Sequence, residues 1–190
     1  MKKHNGHLRA QLIELRDFLP PLKGAVYKNT AEFILREGEV FQSAELTQAE
    51  VDVVKRAMGR KRFESKVCYY NAQRLVLADT TGTLEYVEGY TRELFHHAWV
   101  ALGPKVIDVA FRHGRDRGRP ILGTLPPERE YAGVRFARAY LAGALKGRSA
   151  IAFLEDWEAG WPVLRDTSRA WRAPARSGRT DIHHDGKVSK

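Results

Sequence analysis

Residues 95–111, FHHAWVALGPKVIDVAF, hold two apolar runs joined by a single Gly103-Pro104 step, and that step constrains the topology. A link this short can reverse a chain but cannot make a parallel crossover, which needs about a dozen residues or more. The two runs, 97–102 and 106–111, are therefore expected to be neighbouring antiparallel strands. Alternation then separates the two histidines: His97, Trp99 and Ala101 share one face, whereas His96 points the other way or lies at the strand edge.

The segments around the hairpin read mainly as helices. Asn29-Thr30-Ala31-Glu32 and Thr47-Gln48-Ala49-Glu50 each put a side-chain oxygen ahead of a helix and a carboxylate three residues on, able to satisfy reciprocal orphan N–H groups. Helices over 30–37 and 48–58 follow, stopped by Gly38 and Gly59. Leu8, Leu12, Leu15 and Leu19 mark an earlier amphipathic helix; Val67, Asn71, Leu75 and Ala78 mark another over 67–78, with Ser65 as its N-cap. Strands are expected at 84–90 and 131–136, and helices at 137–145 and 151–159. The sum is an α+β fold: N-terminal helices, the Cys68-bearing helix on an antiparallel sheet of about four strands, and C-terminal helices covering the far side.

The chain has 190 residues, 43% of them hydrophobic, enough for one core and not comfortably for two. One domain is expected over 1–164, followed by a basic, disordered tail over 165–190, where Ser, Gly, Pro and charge dominate. No window approaches the ~18 apolar residues of a membrane span, and the N-terminus lacks the apolar core of a signal peptide. A single cysteine excludes an internal disulfide framework and any zinc site built on several thiolates. These features predict a cytoplasmic protein with no membrane contact. His183-His184 with Asp181 and Asp185 reads as a solvated part of the tail, so neither a metal nor a cofactor is expected.

Lys and Arg outnumber Asp and Glu by 32 to 23, a formal charge of +9, which favours polyanionic partners. Arg112, Arg115, Arg117 and Arg119 crowd one glycine-rich loop, and Arg165, Arg169, Arg172, Arg176 and Arg179 mark the end of the chain. One reading is thus a non-enzymatic binding protein for nucleic acid or an acidic protein, of the kind phages and mobile elements encode.

A different reading comes from Cys68, His97 and Asp108. Cys68 falls in the first turn of its helix, where the macrodipole and unpaired N–H groups favour a thiolate and can hold an oxyanion. A histidine on an adjacent strand can take the thiol proton, and an aspartate on the hairpin partner can fix the ring's tautomer. Against this stands the simpler reading of Cys68 as core filler and of His97 and Asp108 as structural residues. Gln42 is a candidate second oxyanion donor, Asn71 and Glu88 are candidate substrate contacts, and Trp99 is either sheet core or an aromatic wall beside the thiol.

The succession CYYNA (68–72), YVEGY (86–90), HAWV (97–100) and VIDVAF (106–111) resembles the transglutaminase-like branch of the papain-like cysteine fold. The resemblance covers about 67–111. It implies a Cys68, His97, Asp108 triad and thioester chemistry at an amide or ester carbonyl of a protein, peptide or small molecule. Water as acceptor would make a hydrolase; an amine would make an acyltransferase.

Overall fold

The structure, a computed structural model, describes residues 6–60, 63, 67–110, 120–126 and 129–173. The hairpin forms: β3 (His96–Leu102) and β4 (Lys105–Asp108) pair antiparallel, with Val100 opposite Ile107 and Leu102 opposite Lys105. Gly103 makes the reversal at φ +57°, a left-handed backbone that suits a residue without Cβ. β4 stops before the expected end at 111. Asp108 Oδ1 accepts a hydrogen bond from the Ala110 N–H at 3.0 Å, and this local turn takes the chain out of the ladder.

β2 (Glu85–Thr91) pairs with β3, and β6 (Tyr131–Phe136) pairs with β2. Two strands too short to leave a readable alternation extend the edges: β1 (Glu39–Val40) on β6 and β5 (Ile121–Gly123) on β4. The antiparallel sheet therefore has six strands, in the order β1-β6-β2-β3-β4-β5, where about four were expected. It is curled, and residues 41–44 tie its two edges together. The Phe41 N–H donates to the Tyr131 carbonyl beside β1, the Gln42 N–H to Pro104, and the Ala44 N–H to Gly123 of β5.

The helices are α1 (His7–Phe18), α2 (Thr30–Glu37), α3 (Gln48–Met58), α4 (Cys68–Ala78), α5 (Arg138–Ala144) and α6 (Pro162–Arg165). α2 and α3 begin where the caps predict: the Asn29 side chain accepts from the Glu32 N–H, and Thr47 and Glu50 form a reciprocal capping box. The Arg138 guanidinium closes the other end of α4, donating to the carbonyls of Val76, Leu77 and Asp79 at 2.5–2.9 Å.

Strand alternation sorts the sheet into two faces. Tyr86, Ala98, Val100, Ile107 and Phe136 pack with Ile34, Leu75, Val76 and Leu141 from the helices. Phe41, Val87, Trp99, Ala101, Val106 and Tyr131 fill the concave face. The C-terminal helices do not cover that far side as expected: Leu141 of α5 packs on the same face as α4, and among the described residues the concave face is filled by strand side chains with Phe41 and Leu125 from the flanking segments.

Two further expectations are corrected. Residues 151–159 form turns and bends rather than a helix. Their backbone N–H groups serve other acceptors: Ile151 donates to Gln73 Oε1, and Phe153 and Leu154 donate to the two oxygens of Glu88. Packed structure also continues past 165, through Ala173. Trp171 is fully buried against Phe33 and Phe136, and Arg169 and Arg172 pair with the buried Glu37 of α2 at 2.7 and 3.1 Å. The remainder of the expected tail, including Arg176, Arg179 and His183-His184, lies outside the described residues. Among the described residues no helix is long and apolar enough to cross a membrane.

Candidate functional site

Cys68 is the first residue of α4. The first intrahelical bond is made by the Asn71 N–H to the Val67 carbonyl at 3.0 Å, so the N–H groups of residues 68–70 have no acceptor within the helix. Val67, at the N-cap, supplies no side-chain bond, and the first turn holds no acidic residue; Ser65 lies outside the described residues. The positive end of the α4 dipole is thus directed at the partly buried thiol.

The sheet brings His97 to this helix end. His97 Nε2 lies 2.6 Å from Asp108 Oδ2, and the Cys68 thiol lies near enough to the same ring to favour its charged form. With Nε2 engaged by the carboxylate, the nitrogen left for sulfur is Nδ1. Continuing the β3–β4 ladder puts Trp99 opposite Asp108, where β4 ends, so His97 lies beyond the last residue of β4 on that side while β2 pairs with it on the other.

Burial works against a charged imidazole at His97. The Asp108 carboxylate, through its charge and hydrogen bond, outweighs that penalty with help from Cys68 and pushes His97 up to about 10. Asp108 is itself buried at 1% exposure and fully engaged: Oδ2 also accepts the Tyr131 hydroxyl at 3.0 Å, and Oδ1 accepts the Ala110 N–H. Burial and the neighbouring carboxylate hold the Tyr131 phenol well above its ordinary range, so it remains a donor.

Trp99 lies beneath this assembly, its ring nearly parallel to His97 (20°, centroids 6.3 Å apart) and edge-on to Tyr131 and Phe41. Its position requires a glycine on β6. A Cβ at Gly133 would fall 2.6 Å from the Trp99 ring and 2.6 Å from the Glu88 carbonyl. Gly89, paired directly with His97, is equally restricted: a Cβ there would meet the Ala132 carbonyl oxygen at 2.1 Å.

The other candidates are distributed differently. Asn71 is fully buried one turn into α4. Glu88 is not the exposed strand glutamate its pattern suggests. It is 1% exposed, accepts the Tyr86 hydroxyl at 2.7 Å and the N–H groups of Phe153 and Leu154 at 2.9 Å, and burial raises it to about 7. It anchors the 151–155 segment rather than lining a cleft at the thiol. Gln42 is bridged to Lys105 at the hairpin turn, the opposite end of β3 from His97. Five residue steps along the strand, roughly 16 Å, separate His97 from Leu102, so Gln42 is too far to serve as an oxyanion donor for Cys68. Arg112, Arg115, Arg117 and Arg119 lie outside the described residues.

Sequence reasoning missed Tyr131, Tyr69 and Glu155. The last two form a chain beside the thiol: the Tyr69 hydroxyl donates to Glu155 Oε2 at 2.9 Å, and Glu155 Oε1 pairs with His96 Nδ1 at 2.8 Å. Thus the residues following Cys68 and preceding His97 are joined through one carboxylate. The hydrogen bond from His96 holds Glu155 below the usual carboxylate range, and burial raises the Tyr69 phenol.

Comparison of the chain with protein-family models, curated proteins and solved structures gives no match.

Proposed function

We propose that this chain is a thiol hydrolase or acyltransferase, and that its fold is of the transglutaminase-like, papain-like kind. The reading rests on one observation: a single imidazole engages a buried carboxylate through Nε2 and has its charge favoured by the thiol at a helix N-terminus. A core histidine satisfied by Asp108 alone gives no reason for the chain's one cysteine to stand at that ring.

The chemistry follows from the geometry. Cys68 Sγ, its proton taken by His97, attacks an amide or ester carbonyl carbon; a C–S bond forms and the carbonyl oxygen becomes an oxyanion. The free N–H groups at the start of α4 stabilise that charge. As the tetrahedral species collapses, the C–N or C–O bond breaks, and His97 returns its proton to the leaving group. Water or an amine, deprotonated by His97, then attacks the thioester and releases Sγ. Asp108 holds the ring orientation and balances its charge throughout.

Iodoacetamide tests the reading. At about pH 6 to 7 Cys68 should alkylate well faster than an ordinary thiol, and His97→Ala should slow the reaction at least about tenfold. Ordinary-thiol labelling, unchanged by that substitution, would overturn the enzyme reading.

A further inference from the structure

An open groove of about 850 Å³ lies next to the His96–Glu155–Tyr69 chain, a volume suited to a short peptide segment or a similar ligand. Its walls are apolar and aromatic: Leu15 and Leu19 from the end of α1, Phe95 from the β2–β3 turn, and Trp157 and Trp161 from the segment before α6. Phe95 and Trp157 are 69% and 64% exposed, so large aromatic surfaces face solvent there. Glu155 is the one acidic residue among the described lining. Each of its oxygens already accepts one bond, from His96 or Tyr69, but its side chain remains 48% exposed and keeps lone pairs available.

Backbone strain marks the same groove. Among the described residues only Leu94, Trp161 and Arg169 have positive φ without being glycine, and Leu94 and Trp161 both line it. A bulky side chain in that conformation costs free energy and is retained where the surroundings demand that placement.

We infer that this groove takes the arginine side chain of a peptide substrate, its methylene stem against the leucines, its guanidinium over an indole face and its N–H groups on Glu155. Charge complementarity selects the occupant. An aromatic wall beside one half-exposed carboxylate suits a planar, weakly hydrated cation with an apolar stem better than a compact ammonium or a neutral chain. Glu155 connects through Tyr69 and His96 to the sequence neighbours of Cys68 and His97, which ties the groove to the two segments that carry the thiol and the base. Only the word "substrate" rests on the thiol reading; the binding does not.

The test therefore uses Cys68→Ala protein, which cannot react. Isothermal titration would compare acetyl-Ala-Ala-Arg-Ala-amide with the same peptide carrying citrulline, the neutral isostere, or lysine. The arginine peptide should bind about tenfold tighter than the citrulline peptide, with lysine between them, as for one charge-assisted contact open to water. Glu155→Gln should abolish the preference, and Trp157→Ala, a change at an exposed site, should weaken all three. Equal affinities, no binding of any peptide at millimolar concentration, or a preference that survives Glu155→Gln would each overturn the inference. Iodoacetamide labelling of the Cys68-containing protein reports separately on the thiol, so either conclusion can fail alone.

Discussion

His97 and Asp108 are diagonal neighbours on the hairpin: the residue in register opposite Asp108 is Trp99, yet His97 Nε2 reaches Asp108 Oδ2 at 2.6 Å. All three side chains share the concave face, so the ring leans along β3 toward the carboxylate with the Trp99 indole nearly parallel to it. The same aspartate ends β4 through its bond from Ala110. One residue thus orients the base and ends the strand beside it.

Asp108→Asn keeps the shape and removes the charge. The His97 titration, followed by imidazole ¹⁵N NMR, should move from about 10 back toward 6.5, because burial then acts without its main opponent. Iodoacetamide labelling of Cys68 should slow by at least about tenfold, reflecting a lost charge partner and a wrong tautomer. A His97 titration that stays near its starting value would show that Asp108 is not what holds the charge.

Tyr131→Phe removes one donor from a buried carboxylate oxygen and leaves the ring packing intact. Chemical denaturation should report a loss of about 1–3 kcal/mol. Labelling should fall less than in Asp108→Asn, since the contact between His97 and Asp108 survives. If the phenylalanine variant slowed the thiol as much as the asparagine variant, Tyr131 would be acting on the thiol directly and not through Asp108.

The pH dependence of stability has a defined sign. Burial raises Glu88 from 4.5 to about 7, so between those values the fold holds a proton that the unfolded chain releases, and stability falls as pH rises through that window. His97, raised from 6.5 to about 10, contributes stability that is complete below 6.5 and is lost as pH rises through 10. Asp79, held low by its turn hydrogen bonds despite burial, acts in the opposite direction and only at more acid pH. Melting temperatures should therefore decline from about pH 5 to 7 through Glu88 and go on declining from about 6.5 to 10 through His97. Glu88→Gln should flatten the first decline and His97→Ala the second; a first decline unchanged in Glu88→Gln would mean that another group carries it.

Much of the site was legible because its signals are local. Caps at Asn29 and Thr47, the Gly103-Pro104 turn and the alternation around His97 act within a few residues, and each gave the element it predicts. The curl was not legible. Tyr131 lies on β6, three strands from β4, and in a flat sheet about 14 Å of strand spacing would separate it from Asp108. Only curvature brings its hydroxyl to 3.0 Å, and the strands that extend the sheet, β1 and β5, have two and three residues and no pattern to read. Residues 151–159 misled for a related reason. Their apolar spacing suits a helix, but the buried Glu88 and Gln73 accept their N–H groups, and no local pattern announces an acceptor more than 60 residues away.

Residues 166–173 pack against α2 and the sheet. A composition of Ser, Gly, Pro and charge after 165 reads as solvated, but Trp171 is fully buried between Phe33 and Phe136, and the Trp171 carbonyl accepts the Ala137 N–H at 2.8 Å. Glu37, 4% exposed, takes Arg169, Arg172 and the Tyr27 hydroxyl together and clamps the segment to α2. Trp171→Ala should cost about 3–5 kcal/mol, the penalty for emptying a large aromatic site in a packed core. A chain ended after Leu164 would lose Trp171 and leave the Glu37 carboxylate without its arginines, so its thermal transition should broaden or vanish by calorimetry. A truncated chain that melts as sharply and as high as the full chain would return this segment to the surface.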